Sequence, residues 1–126
     1  MNSLHFRTWS LVGLLVFLAA ERLSAQTPDA TPSTGTRIAL RITDLTNEER
    51  DAVNRQLTDG GNAHIAFACV PAGLIIIEAT DATRNTDSLR LRAMPGLLRS
   101  VASARISEDH LTLQRAEELC AEARNQ

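Results

Sequence analysis

Few residues in this chain are of types that do covalent, redox or metal chemistry, and their spacing decides among the options. Beyond residue 26 there are two cysteines, Cys69 and Cys120, and two histidines, His64 and His110. In an oxidising compartment such a cysteine pair reads as a disulfide. Two buried free thiols behaving as small hydrophobes are the alternative. A reactive or metal-binding pair is a third, but the Cys-x-x-Cys spacing that serves it is absent. A Cys69–Cys120 bond would close a loop of about 50 residues, worth roughly 3–4 kcal/mol in the chain-entropy model. A zinc site needs about four ligands. Strict alternation puts His64 and Cys69 on opposite faces of one strand, so no metal site is expected.

The remaining polar groups form no catalytic pattern. Glu48-Glu49-Asp51, Asp81 with Asp87, and Glu108-Asp109 fall in turns or first helical turns, where capping and the helix dipole account for carboxylates. Acid–base work would need burial to shift a pKa. The serines lack a nucleophile elbow, and Gly60-Gly61 reads as a helix stop, not a phosphate-cradling loop. No catalytic residue, cofactor or enzymatic activity is expected.

Composition narrows the partners. The net charge is -2 and every basic residue is arginine, with no basic block, so the footprint of a nucleic-acid binder is missing. After residue 26 the only aromatic is Phe67, which excludes a stacking platform for bases or sugars. The core must come from Leu, Ile, Val and Ala.

These residues are carried by a readable series of elements. Met1 to Gln26 has the order of a secretory signal: His5 and Arg7, the apolar run Leu11–Ala20, then Leu23-Ser24-Ala25 at the cut. The apolar run falls short of the about 20 residues a membrane span requires, so contact with a membrane is expected only through an uncleaved segment. Residues 26–36 lack a large apolar side chain and read as a disordered Thr/Pro-rich linker. One domain of residues 37–126 follows, in a periplasmic or secreted protein.

Within it, Ile38, Leu40 and Ile42 alternate as in a half-buried strand. Thr46-Asn47-Glu48-Glu49 has the capping-box pattern of a helix start. His64–Val70 reads as a strand with Ile65, Phe67 and Cys69 on one face. Pro71-Ala72-Gly73 turns the chain into an antiparallel partner, Leu74–Thr80. Residues 81–94 admit helix or strand; helix is preferred because it supplies a crossover. Pro95-Gly96 would end it, with Leu97–Ile106 as the last strand. The final segment, from Ser107 or Asp109 to Arg124, has helical spacing at Ala116, Leu119, Cys120 and Ala123.

The fold class expected is therefore α/β (α+β): a ferredoxin-like split β-α-β sandwich with an added C-terminal helix. Ala93-Met94-Pro95-Gly96-Leu97-Leu98-Arg99-Ser100-Val101 is similar to the leucine-proline-glycine-valine and serine-valine run of the heavy-metal-associated domain family. That resemblance implies the same fold and, as a second functional class, a diverged metal- or thiol-handling domain using Cys69. The family's Met-x-Cys-x-x-Cys motif has no counterpart in Thr43–Glu48.

Two placements of the last helix stay open: over the free sheet face, which would put Cys120 on the wrong side for Cys69, or beside the other two helices, which a Cys69–Cys120 bond would require. The opposite sheet face would then stay open, with Arg41, Ala66, Ala68 and Ile75 or Ile77 on it. Monomers usually hide such a patch. The functional expectation is thus a small exported, non-enzymatic binding or assembly module, contacting a protein partner or a second copy through that face.

Overall fold

The computed structural model describes residues 35–126; the expected signal peptide and nearly all of the expected linker lie outside them. The elements are β1 (Arg37–Ile42), α1 (Asn47–Gly60), β2 (Ala63–Cys69), β3 (Leu74–Ala79), α2 (Thr86–Leu98), a 3-10 turn (Ser103–Arg105), β4 (Ile106–Asp109) and α3 (Leu113–Arg124). The strands form one sheet in the order β2-β3-β1-β4, and every neighbouring pair is antiparallel. This is the ferredoxin-like α+β arrangement, followed by a third helix.

Local chemistry explains most element ends. The Thr46 hydroxyl accepts from the Glu49 amide at 3.1 Å, and the Glu49 carboxylate accepts from the Thr46 amide at 3.1 Å, so the capping box opens α1. Gly61, with φ 71°, closes it in the left-handed region. The fold begins one residue before the strand expected from the alternation: Thr36 accepts from the Ala79 amide at 3.0 Å and donates its hydroxyl to the Thr83 carbonyl. Thr36, expected in the linker, is thus bonded to β3 and to the segment after it.

The segment after β3 departs from the expected boundaries. Helix is right for it, but α2 runs through Pro95-Gly96 to Leu98. Proline deletes the bond to the carbonyl four residues back and crowds that carbonyl, which here belongs to the exposed Leu91. Gly96 serves close approach: a Cβ there would lie 3.3 Å from Gln56 Cβ of α1. The strand expected over Leu97–Ile106 is corrected: that stretch holds the end of α2 and the 3-10 turn, and β4 begins only at its last residue and runs to Asp109. α3 starts later than Ser107 or Asp109, where the Thr112 hydroxyl accepts from the Arg115 amide at 3.2 Å.

Two apolar layers flank the sheet. On one face Ile38, Leu40, Ile42, Ile75 and Ile77 pack with Val53 and Leu57 of α1 and Leu89, Ala93 and Leu97 of α2. On the other, Ala39, Cys69, Leu74 and Ile76 pack under Ala116 and Cys120 of α3. The expectation that α3 lies beside α1 and α2 is corrected: it covers the opposite face. The cause is one extra residue in β2. Ile65 pairs with Ile77 and Phe67 with Ile76, leaving Ala66 as a β-bulge. A bulge resets the alternation, so Ile65 points to α1 and α2 while Phe67 and Cys69 point to α3.

The β2–β3 turn locks onto β1. The Ile42 amide donates to the Gly73 carbonyl at 2.7 Å, and Gly73 has φ 64° with its Cβ position occupied by the Ile42 carbonyl oxygen. Gly61 has a similar φ but open space around it. Gly61→Ala should therefore cost about 1 kcal/mol from backbone conformation alone. Gly73→Ala should cost about 2–4 kcal/mol from strain plus displacement of β1. Urea unfolding of both variants checks the order; equal losses would contradict it.

Candidate functional site

Cys69 and Cys120 are bonded, 51 positions apart in sequence and with Cα atoms 5.8 Å apart, inside the usual Cα range for a disulfide. The bond is enclosed: Cys69 is 1 % and Cys120 4 % exposed. Around it lie Ala116 and Leu74, with Phe67, Leu111, Leu113 and Leu119 partly buried at the margin. A disulfide of this kind fits an oxidising compartment.

The residues expected on an open sheet face are scattered by the bulge and by α3. Ile75 and Ile77 are fully buried between the sheet and α1 and α2, which corrects their assigned face. Ala68 packs against that same layer. Ala66, the bulge residue, is exposed on the edge strand. Arg41 shares the α3 face with Ala39 and bonds Asp109 through Nη2 at 3.0 Å and Nε at 3.2 Å. The patch that small and aliphatic residues would have formed is occupied by α3.

The other candidate groups are held in structural roles. His64 pairs opposite Glu78, so the bulge places it on the α3 face together with Cys69, not opposite to it as strict alternation implies. His110 is exposed just before α3. Among the described residues no three His, Cys, Asp or Glu side chains come together as a metal site requires. The Asp81 carboxyl is pulled down to about 2, first by the Thr83 hydroxyl and amide and then by Arg92; the Thr83 amide lies 3.0 Å away. A cleft of about 500 Å³ runs between the C-terminal ends of α1 and α2, lined in part by Gln56, Asp59, Asn62, Arg92 and Arg99. Arg99 donates to Gln56 at 2.9 Å, and Arg92 reaches out to Asp81 at 2.5 Å.

Sequence patterning missed one surface. Leu89, Ala93 and Leu97 turn inward along α2, leaving Leu91 77 % and Leu98 46 % exposed on its outer side. Pro95, between them, is also exposed. Seven residues make about two helical turns, so Leu91 and Leu98 share a face. The signal was the four-residue spacing of Leu89, Ala93 and Leu97, usable only once Pro95-Gly96 is read as helix interior. Comparison with family models, curated proteins and solved structures finds no match for the chain.

Charge also ties the start of α1 to the segment before β4. Arg105 binds the Glu49 carboxylate through Nη1 at 2.6 Å and Nη2 at 3.0 Å. This pairing, with the Thr46 amide, holds Glu49 below its ordinary pKa of 4.5. A lowered folded-state pKa stabilises the fold above the unfolded value, and that contribution is lost as pH falls through the folded value. Glu49→Gln keeps a capping-box side chain but removes the charge. Its stability deficit against the parent should be fully present at pH 7 and should close as pH falls from 4.5 through the lower folded value. Denaturant titrations at several pH values measure this; a deficit independent of pH would refute the ionic role.

Proposed function

We propose that the chain is a small exported, non-enzymatic binding or assembly module, and that its contact surface is the outer side of α2. The observation carrying this reading is the pair Leu91 and Leu98, the large apolar side chains exposed among the described residues. Two leucines two turns apart, with Pro95 between them, make a short apolar stripe of the kind a partner's groove takes up. Exposed Arg92 and Arg99 follow the two leucines directly in sequence, which suits a partner with an apolar groove and an acidic rim. Export is supported by the order of residues in Met1–Gln26 and by the disulfide.

The metal- or thiol-handling reading finds no comparable support, since both sulfurs it would use are joined to each other.

A photo-cross-linking residue placed at position 91 of the full chain, expressed in its native cells, tests the proposal. The expected result is an adduct of discrete mass in the exported fraction, with the chain itself starting at Gln26. The same probe at the outward-facing Glu117 of α3 should give none. No adduct from position 91, or equal adducts from both positions, would overturn the assignment of the surface. A mass retaining Met1 would overturn export with cleavage.

A further inference from the structure

We propose that Cys69–Cys120 is a latch: it holds α3 on the sheet, and opening it releases α3 alone, uncovering an apolar face formed by Ala39, Leu74 and Ile76. Three independent features of the structure lead there.

The non-covalent hold on α3 is thin. Of its residues only Ala116 and Cys120 are buried, and one of these is the bonded cysteine. Every ion pair α3 makes among the described residues stays within the helix: Arg115 with Glu118 and with Glu122. Its other side-chain hydrogen bonds are Gln114 to Glu118 and the Thr112 cap. By contrast, α2 buries Leu89, Ala93 and Leu97 and sends Arg90 to Glu108 of β4 and Arg99 to Gln56 of α1.

The rest of the domain does not need α3. The layer between the sheet and α1 and α2 is a continuous cluster containing no α3 residue. It holds most of the large buried side chains, including Ile42, Ile75, Ile77, Leu89 and Leu97. A helix with two small buried residues and two leucines, Leu113 and Leu119, only partly buried at the margin adds less apolar burial than that layer.

Opening is a thiol–disulfide exchange with an external dithiol. A thiolate of the dithiol attacks one sulfur and forms a mixed disulfide, and the other cysteine leaves as thiolate. The second thiol of the reagent then displaces the remaining cysteine. Two electrons pass to the Cys69–Cys120 pair, which ends as two thiols after taking up two protons, and the dithiol becomes a disulfide. Closing runs the same steps backwards, with an oxidised dithiol protein or small-molecule disulfide as acceptor. Since Cys120 lies one turn before the end of α3 at Arg124, fraying of that turn gives the reagent its path to a bond that is otherwise enclosed. The chain thus has an open-face reduced form and a covered oxidised form, selected by the redox state of its surroundings.

Amide hydrogen exchange on the full processed chain tests this, comparing the oxidised protein, the protein in excess dithiothreitol, and a Cys69→Ala/Cys120→Ala variant. Amides of α3 should lose about 100-fold or more of their protection in the reduced protein and in the variant. Amides of β1, β3 and α1 should keep theirs. Using both reduction and substitution separates the loss of the bond from any packing defect of the new alanines. Retained protection of α3 without the bond would overturn the proposal. So would loss of protection in β1, β3 and α3 together, because the body would then depend on the latch.

Discussion

Ala66 occupies the position on which the two-faced character of this domain rests. As an unpaired residue in β2, it lets the strand present Ala63 and Ile65 to one layer and Phe67 and Cys69 to the other. Without such a reset, side chains two apart stay on one face throughout a strand. The position of Cys69 decides where Cys120 must lie, and hence which face α3 covers. A single inserted residue on an edge strand thereby determines the path of the last elements of the domain.

The two layers it separates differ in kind. The layer under α1 and α2 is filled by branched aliphatic side chains from strands and helices alike and holds together by ordinary apolar burial. The fully buried part of the layer under α3 contains two alanines, one leucine, one isoleucine and the disulfide, with Leu111, Leu113 and Leu119 only partly buried around it. Phe67, the lone aromatic beyond the first 26 residues, sits at its margin. Here a covalent bond stands in for bulk, as is common where a small domain lacks enough apolar surface. Bulges on edge strands also discourage sheet-to-sheet pairing. Ala66 thus protects an uncharged edge strand while aiming the cysteine.

Much of this was legible in the residues. The Ile38-Leu40-Ile42 alternation, the Thr46–Glu49 capping box and the Pro71–Gly73 turn each act through neighbours in sequence, and each appears in place. The pairing of Cys69 with Cys120 followed from there being only two cysteines. What stayed hidden depends on contacts distant in sequence. Nothing local to Ala-His-Ile-Ala-Phe-Ala-Cys marks Ala66 as the extra residue; the bulge is fixed by the register with Ile76 and Ile77. Pro95-Gly96 resembles a stop, yet helix continues because Gly96 packs against Gln56 of α1, a tertiary contact overriding local propensity. The outward placement of Leu91 and Leu98 came to view only with that continuation, and the expected interface at Ile75 and Ile77 was lost because β3 pairs them with Leu40 and Ile38 on the face that α1 and α2 cover.

Deleting Ala66 and mapping the cysteines of the native protein by alkylation before and after reduction tests the bulge most directly. On this account Ile65 and Phe67 already oppose consecutive residues of β3, so the deletion leaves a regular strand with Cys69 still facing Cys120. Neither thiol should react until the protein is reduced. If β2 were regular to begin with, the deletion would turn Phe67 and Cys69 to the opposite face. Both thiols would then be alkylated without reduction, contradicting the placement of Cys69 and of α3.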